Sequence, residues 1–300
     1  MKSLVVHPRV AGALADGRPV VALESTVYSH LGLPPGRNAE ALERCLEVIE
    51  SQGATPAVTA LLDGVPRVGL DDDGYAAILA CEEKMAERDL PVAMAARWAA
   101  GATTVSGSLA LAHAAGIRIF ATGGIGGVHR NSAVTGDVSS DLEALARYPV
   151  ATVCAGAKAF LDLPHTLERL ETLGVPVVGY GCDELPAFWS RSSGLDLPFR
   201  VDSPAEAAGV VGAMGRTAVL FVVPPPATAA VANAVIDRAI SEALTRAEEA
   251  GITGGEVTPY VLDAIDEATA GRSVDANVEL VVNNARCAAA IARAAAAAGT

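Results

Sequence analysis

Lysine is nearly absent from this chain: of 22 basic residues in 300, only Lys2, Lys84 and Lys158 are lysines. Arginine keeps its proton and does not condense with a carbonyl, so the two internal lysines are candidates for chemistry that needs a neutral amine. A skew in nucleotide composition would produce the same count, and the motifs must decide. Cysteine is sparse too. Cys45, Cys81, Cys154, Cys182 and Cys287 are scattered, odd in number and without C-x-x-C spacing, which argues against a zinc site or a disulfide framework and for a reducing cytoplasm. Positive charge is in deficit, with a net charge of -13 and a pI near 4.8. A nucleic acid polymer or an anionic membrane is therefore a poor partner, whereas a small phosphorylated ligand needs only one or two local cations. No charged-then-apolar leader opens the sequence, and no apolar stretch of about 18 residues runs without a charge.

Apolar residues, at 51%, are plentiful. Short apolar runs alternate with segments of helical period along the whole chain, the pattern of a largely parallel sheet covered by helices. Strands are expected at 18–23, 57–62, 103–106, 117–122, 149–154, 175–179 and 217–223. Helices are expected at 38–52, 163–173, 204–214, 227–250, 259–270 and 275–298, the first opening on Asn38 as N-cap and stopping at Gly53. The alanine-rich stretch 285–298, broken by Arg286 and Arg293, reads as a packed terminal helix. No repeat, linker or charge block divides the chain. Residues 1–300 are expected to form a single three-layer α/β/α domain with a central, largely parallel or mixed sheet and a helical C-terminal region.

Ligands in such folds bind at the carboxyl ends of strands, and four stretches place polar residues there. In VVALEST, Glu24 follows a strand; burial would make it a proton donor or acceptor, and the plainer reading is a carboxylate in a hydrogen-bonded turn. In IRIFATGGIGGVHR, Thr122 and four glycines precede His129 and Arg130. The glycines would let backbone N–H groups approach an anion, although their spacing fits neither the dinucleotide fingerprint nor the P-loop. In TGDVSSDLEALARY, Ser140 and Glu143 form a candidate capping box with Ser139 just ahead, a setting that suits a phosphate. Asp137 and Asp141 would repel it unless an oxygen-ligated divalent cation intervened; the alternative is an ordinary acidic first turn. In PVATVCAGAKAFL, Lys158 closes an apolar run among small residues. It is either a snorkelling cation or a desolvated amine able to form a Schiff base. Lys84, in EEKMAERDLPV, reads as a surface helix residue paired with Glu82, Glu83 or Glu87, or else as a phosphate or carbonyl contact.

Taken together, VALESTVYSH, RDLPVA, GATTVSGSLALAHAAGIRIFATGGIGGVHR, DVSSDLEALA, VCAGAKAFLDLP, VPVVGYG, LPAFWSRSSG, EVTPY and VELVVNNA resemble the pseudouridine-5'-phosphate glycosidase family, collinearly from about residue 18 to 290. The resemblance implies reversible cleavage of the C–C glycosidic bond of pseudouridine 5'-phosphate to uracil and ribose 5-phosphate, with a divalent metal, usually manganese, in a homotrimeric α/β/α enzyme. It implies Lys158 as the residue that forms the covalent sugar adduct, Glu24 as proton donor and Asp137 as metal ligand. Ser139, Ser140 and Asp141 match the substrate-binding stretch, and Lys84, Val105 and Asn277 match further substrate contacts; Thr122 and His129 are expected to bind substrate too, and the glycine loop and helix N-terminus to anchor the phosphate. A C–C bond has no leaving oxygen to protonate, so the two-carboxylate scheme of ordinary glycosidases does not transfer. An amine does offer a route: Lys158 holds C1' as an iminium-type adduct that serves as electron sink, and Glu24 handles the proton at the base carbon.

The chain departs from the family pattern at several points. Glu87 stands where an arginine is usual, the segment from Gly69 to Lys84 is short, NSAV follows His129-Arg130, Val223 precedes Pro224 in place of asparagine, and Gly255 replaces a lysine. Two other readings remain open: a different Schiff-base sugar-phosphate lyase, and a non-catalytic nucleotide-binding protein on the same scaffold.

Overall fold

The computed structural model describes residues 3–252 and 257–299. Its strands are β1 (Val5–Val6), β2 (Val20–Leu23), β3 (Thr55–Leu62), β4 (Val65–Val68), β5 (Lys84–Met85), β6 (Ala100–Thr103), β7 (Ile119–Ala121), β8 (Ala151–Cys154), β9 (Val177–Tyr180), β10 (Phe199–Val201) and β11 (Leu220–Val222). The helices are α1 (Pro8–Ala15), α2 (Arg37–Ser51), α3 (Asp72–Leu79), α4 (Leu90–Ala95), α5 (Val105–Ala115), α6 (Ser132–Thr135), α7 (Ser140–Arg147), α8 (Leu163–Thr172), α9 (Pro204–Ala213), α10 (Asn233–Glu249), α11 (Val257–Thr269) and α12 (Arg272–Ala297).

Seven strands run parallel in the order β3-β2-β7-β8-β11-β9-β10. Every residue of β2, β3, β8 and β11 is buried, as helices on both faces require, which is why these strands read as unbroken apolar runs. β3 is long enough to serve two partnerships. Its first half pairs parallel with β2, and its second half pairs antiparallel with β4 and β6, which makes the sheet mixed. The C-terminal helix α12 crosses β2, β7 and β8 beside α2 and α9. Its buried Ala285, Ala288, Ala289 and Ala292 allow that close approach, and Arg37–Asp275 (2.6 Å) and Arg44–Glu279 (2.8 Å) tie it to α2.

Three local expectations are corrected. Residues 103–106 are not a strand: β6 ends at Thr103 and α5 begins at Val105. Residues 105–112 of that helix are all buried, and a Cβ at Gly107 would lie 2.9 Å from the Met85 carbonyl oxygen, so no amphipathic period marks the helix. Asn38 is not the N-cap of α2, which follows Gly36 at φ 87°. Its side chain instead donates to Tyr28 O (3.0 Å) and Leu79 O (3.1 Å). The helix expected from residue 227 starts at Asn233, after turns that follow Pro224–Pro226. Val223 is buried, its N–H prolonging the β11–β8 pairing to Cys154 O at 2.8 Å. Gly255 and the first residue of EVTPY lie outside the described residues.

Candidate active site

β2, β7 and β8 are neighbours in the sheet, so the residues that follow them converge at one edge: Glu24 after β2, Thr122 after β7 and Lys158 after β8. A cleft of about 800 Å³ opens there and is lined by ten of the eleven residues expected from sequence; the exception is Thr122. Thr122 is fully buried and its hydroxyl donates to Glu24 Oε1. It therefore supports the carboxyl from behind the cleft wall.

Glu24 is 8% exposed. Burial pushes its pKa up to about 7, against the Thr122 hydrogen bond and the Lys158 charge, which pull it down, while Asp141 raises it. The hydroxyls of Ser25, Thr59, Thr103 and Ser108 form a buried cluster with separations from 2.8 to 3.1 Å, joining the turn after β2 to β3, β6 and α5. Nothing in the sequence pattern marks this cluster, because its members come from four separate segments.

Lys158 is half-buried, and its amine has no hydrogen-bond or ion-pair partner among the described residues. Its backbone is fixed: Lys158 N donates to Ile125 O at 3.1 Å, and Ile125 N donates to Gly156 O at 3.1 Å, lacing the glycine loop to the segment after β8. Burial lowers the amine pKa, Lys84 lowers it further, and Glu24 and Asp141 oppose both. The nearby Cys154 thiol is pushed up by burial to about 12, so the amine is the better nucleophile of the two.

Lys84 is corrected from helix to strand. It lies in the two-residue β5, exposed at the cleft, and forms no ion pair with Glu82, Glu83 or Glu87. Glu87 instead accepts from Arg147 (2.7 Å) and Tyr148 (2.6 Å). The residue that departs from the family pattern thus braces this segment against the end of α7.

The Ser140–Glu143 capping box is also corrected. Ser139 is the N-cap of α7 and its Oγ accepts from Asp141 N at 3.2 Å; Ser140 faces Ser106 Oγ at 3.2 Å, and Glu143 pairs with Arg169 at 2.5 Å. Asp141 spans two elements, accepting from Ser106 N at the start of α5 and from Gly126 N, both at 2.9 Å. A Cβ on Gly126 would lie 2.9 Å from that carboxylate, which explains the glycine. The N–H groups of Ile125, Gly126 and Val128 are thus engaged within the protein, and the polar side chains that line the cleft include Ser139, Ser140, His129 and Lys84.

Asp137 is 41% exposed and stands 3.6 Å from His129 Nδ1. Burial lowers the His129 pKa, with Asp137 opposing. Among the described residues no three His, Cys, Asp or Glu side chains come together as a cage. Asp137 is an oxygen donor at the cleft of the kind that a hard divalent ion takes, and any further ligands would have to come from water or substrate.

Val105 opens α5 at the cleft wall. Asn277, 9% exposed, has an unpartnered Oδ1, and its oxygen would lie 3.6 Å from a Cβ on Gly123. Phe188 was not foreseen. It lines the cleft at φ 59°, with its ring against Gly124 and edge-on to Trp189 at 4.8 Å. Only its place in LPAFW, among the matching stretches, hinted at a role. A smaller cavity of about 360 Å³, bordered by Arg130, Asp162 and Asp237, contains none of the expected catalytic residues.

A family model described as indigoidine synthase A like protein matches residues 9–294. The pseudouridine-5'-phosphate glycosidase of Paracoccus denitrificans is 46% identical over 97% of this chain and 98% of its own length. That of Gemmatimonas aurantiaca is 49% identical over 97% of each. Among solved structures, the prealnumycin C-glycosynthase AlnA in complex with ribulose 5-phosphate superposes with a TM-score of 0.92 at 36% identity, covering 100% of this chain and 99% of that one. An indigoidine synthase A (IdgA)-like protein from Thermotoga maritima gives 0.86 at 31%, covering 96% and 95%.

Proposed function

Because the chain belongs to the indigoidine synthase A-like family, we propose that it reversibly cleaves the C–C glycosidic bond of pseudouridine 5'-phosphate to give uracil and ribose 5-phosphate. The observation that carries this reading is the pairing, in one cleft, of an unpartnered amine whose pKa is lowered with a buried carboxyl whose pKa is raised to about 7. Both shifts favour the neutral forms that the chemistry needs.

In cleavage, the C1'–O4' bond breaks as Lys158 Nζ bonds C1'; Glu24 gives O4' its proton, takes up the proton that the adduct nitrogen loses, and then delivers it to C5 of the base. The nitrogen lone pair then forms C1'=N while the C1'–C5 electron pair returns to the uracil ring, and water hydrolyses the iminium to ribose 5-phosphate. In the synthetic direction the iminium is the electron sink attacked by C5, and the Glu24 carboxylate takes the C5 proton. Ser139, Ser140, His129 and Lys84 bind the sugar phosphate, and Asp137 holds a divalent ion, manganese by family likeness, which adds charge stabilisation at the phosphate or sugar oxygens. A homotrimer working in the cytoplasm on small molecules completes the proposal.

The test is borohydride trapping with ribose 5-phosphate, peptide mapping, and a turnover assay on pseudouridine 5'-phosphate. An adduct on Lys158 that is absent in Lys158→Arg, together with loss of turnover in that variant, supports the reading. Normal turnover by Lys158→Arg would sink the amine mechanism. No turnover by the native protein would favour another sugar-phosphate substrate.

A further inference from the structure

Asn277 and Asn284 are seven residues apart on α12, close to two turns, and so share one face of the helix. Asn277 reaches the cleft, whereas Asn284 is fully buried behind it. Asn284 Nδ2 donates to Thr122 O at 2.9 Å and to Gly123 O at 3.2 Å, and its Oδ1 has no partner. Both partners are carbonyls, so chemistry fixes which end of the amide faces them.

An orphaned buried acceptor is a cost that leucine or alanine at this position would not carry. What asparagine supplies is two donors from one nitrogen to adjacent carbonyls, just past the end of β7. Thr122 N is also held by Val153 O at 3.1 Å, and Gly123 O also accepts from Ala155 N at 2.9 Å. Both carbonyls of the Thr122–Gly123 segment are thereby held, and the Thr122 hydroxyl, which points elsewhere, meets Glu24 Oε1. We propose that Asn284 is a positioning residue for proton transfer: it locks the Thr122–Gly123 carbonyls so that the Thr122 hydroxyl stays on one oxygen of Glu24. The other carboxyl oxygen then remains available to the base.

The inference rests on Glu24 being the proton donor of the proposed reaction. The charged groups acting on Glu24 are Lys158, Asp141 and Lys84. Substituting Asn284 touches none of them, so a changed titration of Glu24 reports the Thr122 contact.

The experiment compares native protein, Asn284→Leu, Asn284→Ala, Thr122→Val and the Leu/Val double variant in cleavage of pseudouridine 5'-phosphate across pH 5.5 to 9. Trapping of ribose 5-phosphate on Lys158 serves as the control for an intact site. Asn284→Leu is expected to lose about tenfold in kcat with KM within about threefold, as for loss of a neutral hydrogen bond that orients a group. The alkaline limb of its kcat profile should move to higher pH, because the bond that favours ionised Glu24 is weakened. Thr122→Val should shift the limb in the same direction, and the double variant should shift it no further. Asn284→Ala, which removes both donors without adding charge, should match the Leu variant, and it carries the comparison if the Leu variant does not fold. An unmoved limb in the Asn284 variants, or shifts that add to that of Thr122→Val, would overturn the proposal. Absence of turnover in the native protein would instead remove the reading on which it rests.

Discussion

Replacing Glu24 with glutamine should abolish cleavage and, above neutral pH, stabilise the fold. The native carboxyl is 8% exposed and its pKa is raised from 4.5 to about 7 by burial. A folded state that holds the proton more tightly than the unfolded chain is favoured at low pH. As pH rises from about 4.5 to 7 the unfolded chain ionises first, and the stability linked to this group is lost through that window. At about 1.4 kcal/mol for each pH unit between the two values, the full effect is ~3 kcal/mol, of which ~2–3 kcal/mol falls between pH 5 and pH 8. Glutamine has the same shape and no titration, so the native-minus-variant difference isolates this group from every other carboxyl and histidine. Urea unfolding of both proteins at fixed protein concentration, at pH 5 and at pH 8, measures it. The variant should gain on the native protein by that amount as pH rises, while native cleavage activity declines above about pH 7 as the donor loses its proton. A difference that stays constant across the range would refute the assignment of a raised pKa to Glu24, and with it the proton-donor role.

Other substitutions probe the frame around the acid and the amine. Gly124→Ala would place a Cβ 2.6 Å from the Phe188 ring and 2.9 Å from Gly156 O. A cost of about 1–3 kcal/mol is expected for overpacking, read as a lower thermal midpoint with weaker trapping at Lys158, because Gly156 and Lys158 belong to the same loop. Glu87→Ala removes the acceptor shared by Arg147 and Tyr148. It should destabilise by about 1 kcal/mol, mostly through the Tyr148 bond, since the arginine partner is well exposed. Manganese titration of Asp137→Ala, followed by calorimetry with ribose 5-phosphate absent and present, should show weaker metal binding than the native protein in both cases.

The central strands were legible because a strand buried on both faces leaves a plain mark, an unbroken apolar run, and the residue just past it is where chemistry gathers. Glu24 and Lys158 stand out in the sequence in that way, and both line one cleft. Where burial erases periodicity the same reasoning fails: α5 is buried around its circumference, so Thr103, Thr104 and Val105 looked like a strand. Lys84 was misplaced because a two-residue strand is set by its neighbour β6 and not by its own sequence. Thr122 was found as a site residue, but that it would face Glu24 and not the substrate depends on the packing of β2 beside β7. Phe188 and Asn284 act through a backbone angle and a buried contact across 161 or 162 residues, and neither has a local signature.

Lys158 forms no ion pair among the described residues, and this bears on the timing of proton transfer. Before reaction, burial favours neutral amine and neutral acid together, and each would raise the cost of the other ionising alone. Once Lys158 carries C1', departure of the base turns its nitrogen into a fixed cation. That cation acts on Glu24 in the direction that lowers the carboxyl pKa, so it stabilises the carboxylate left once the proton has gone to C5. The Thr122 hydroxyl pulls the same way and can hold the resulting carboxylate. In synthesis the order reverses: the iminium first favours an ionised Glu24, which can then take the C5 proton. At C5 the proposed reversibility therefore needs no second acid or base, since one charge switching on the sugar-bearing nitrogen sets the state of Glu24.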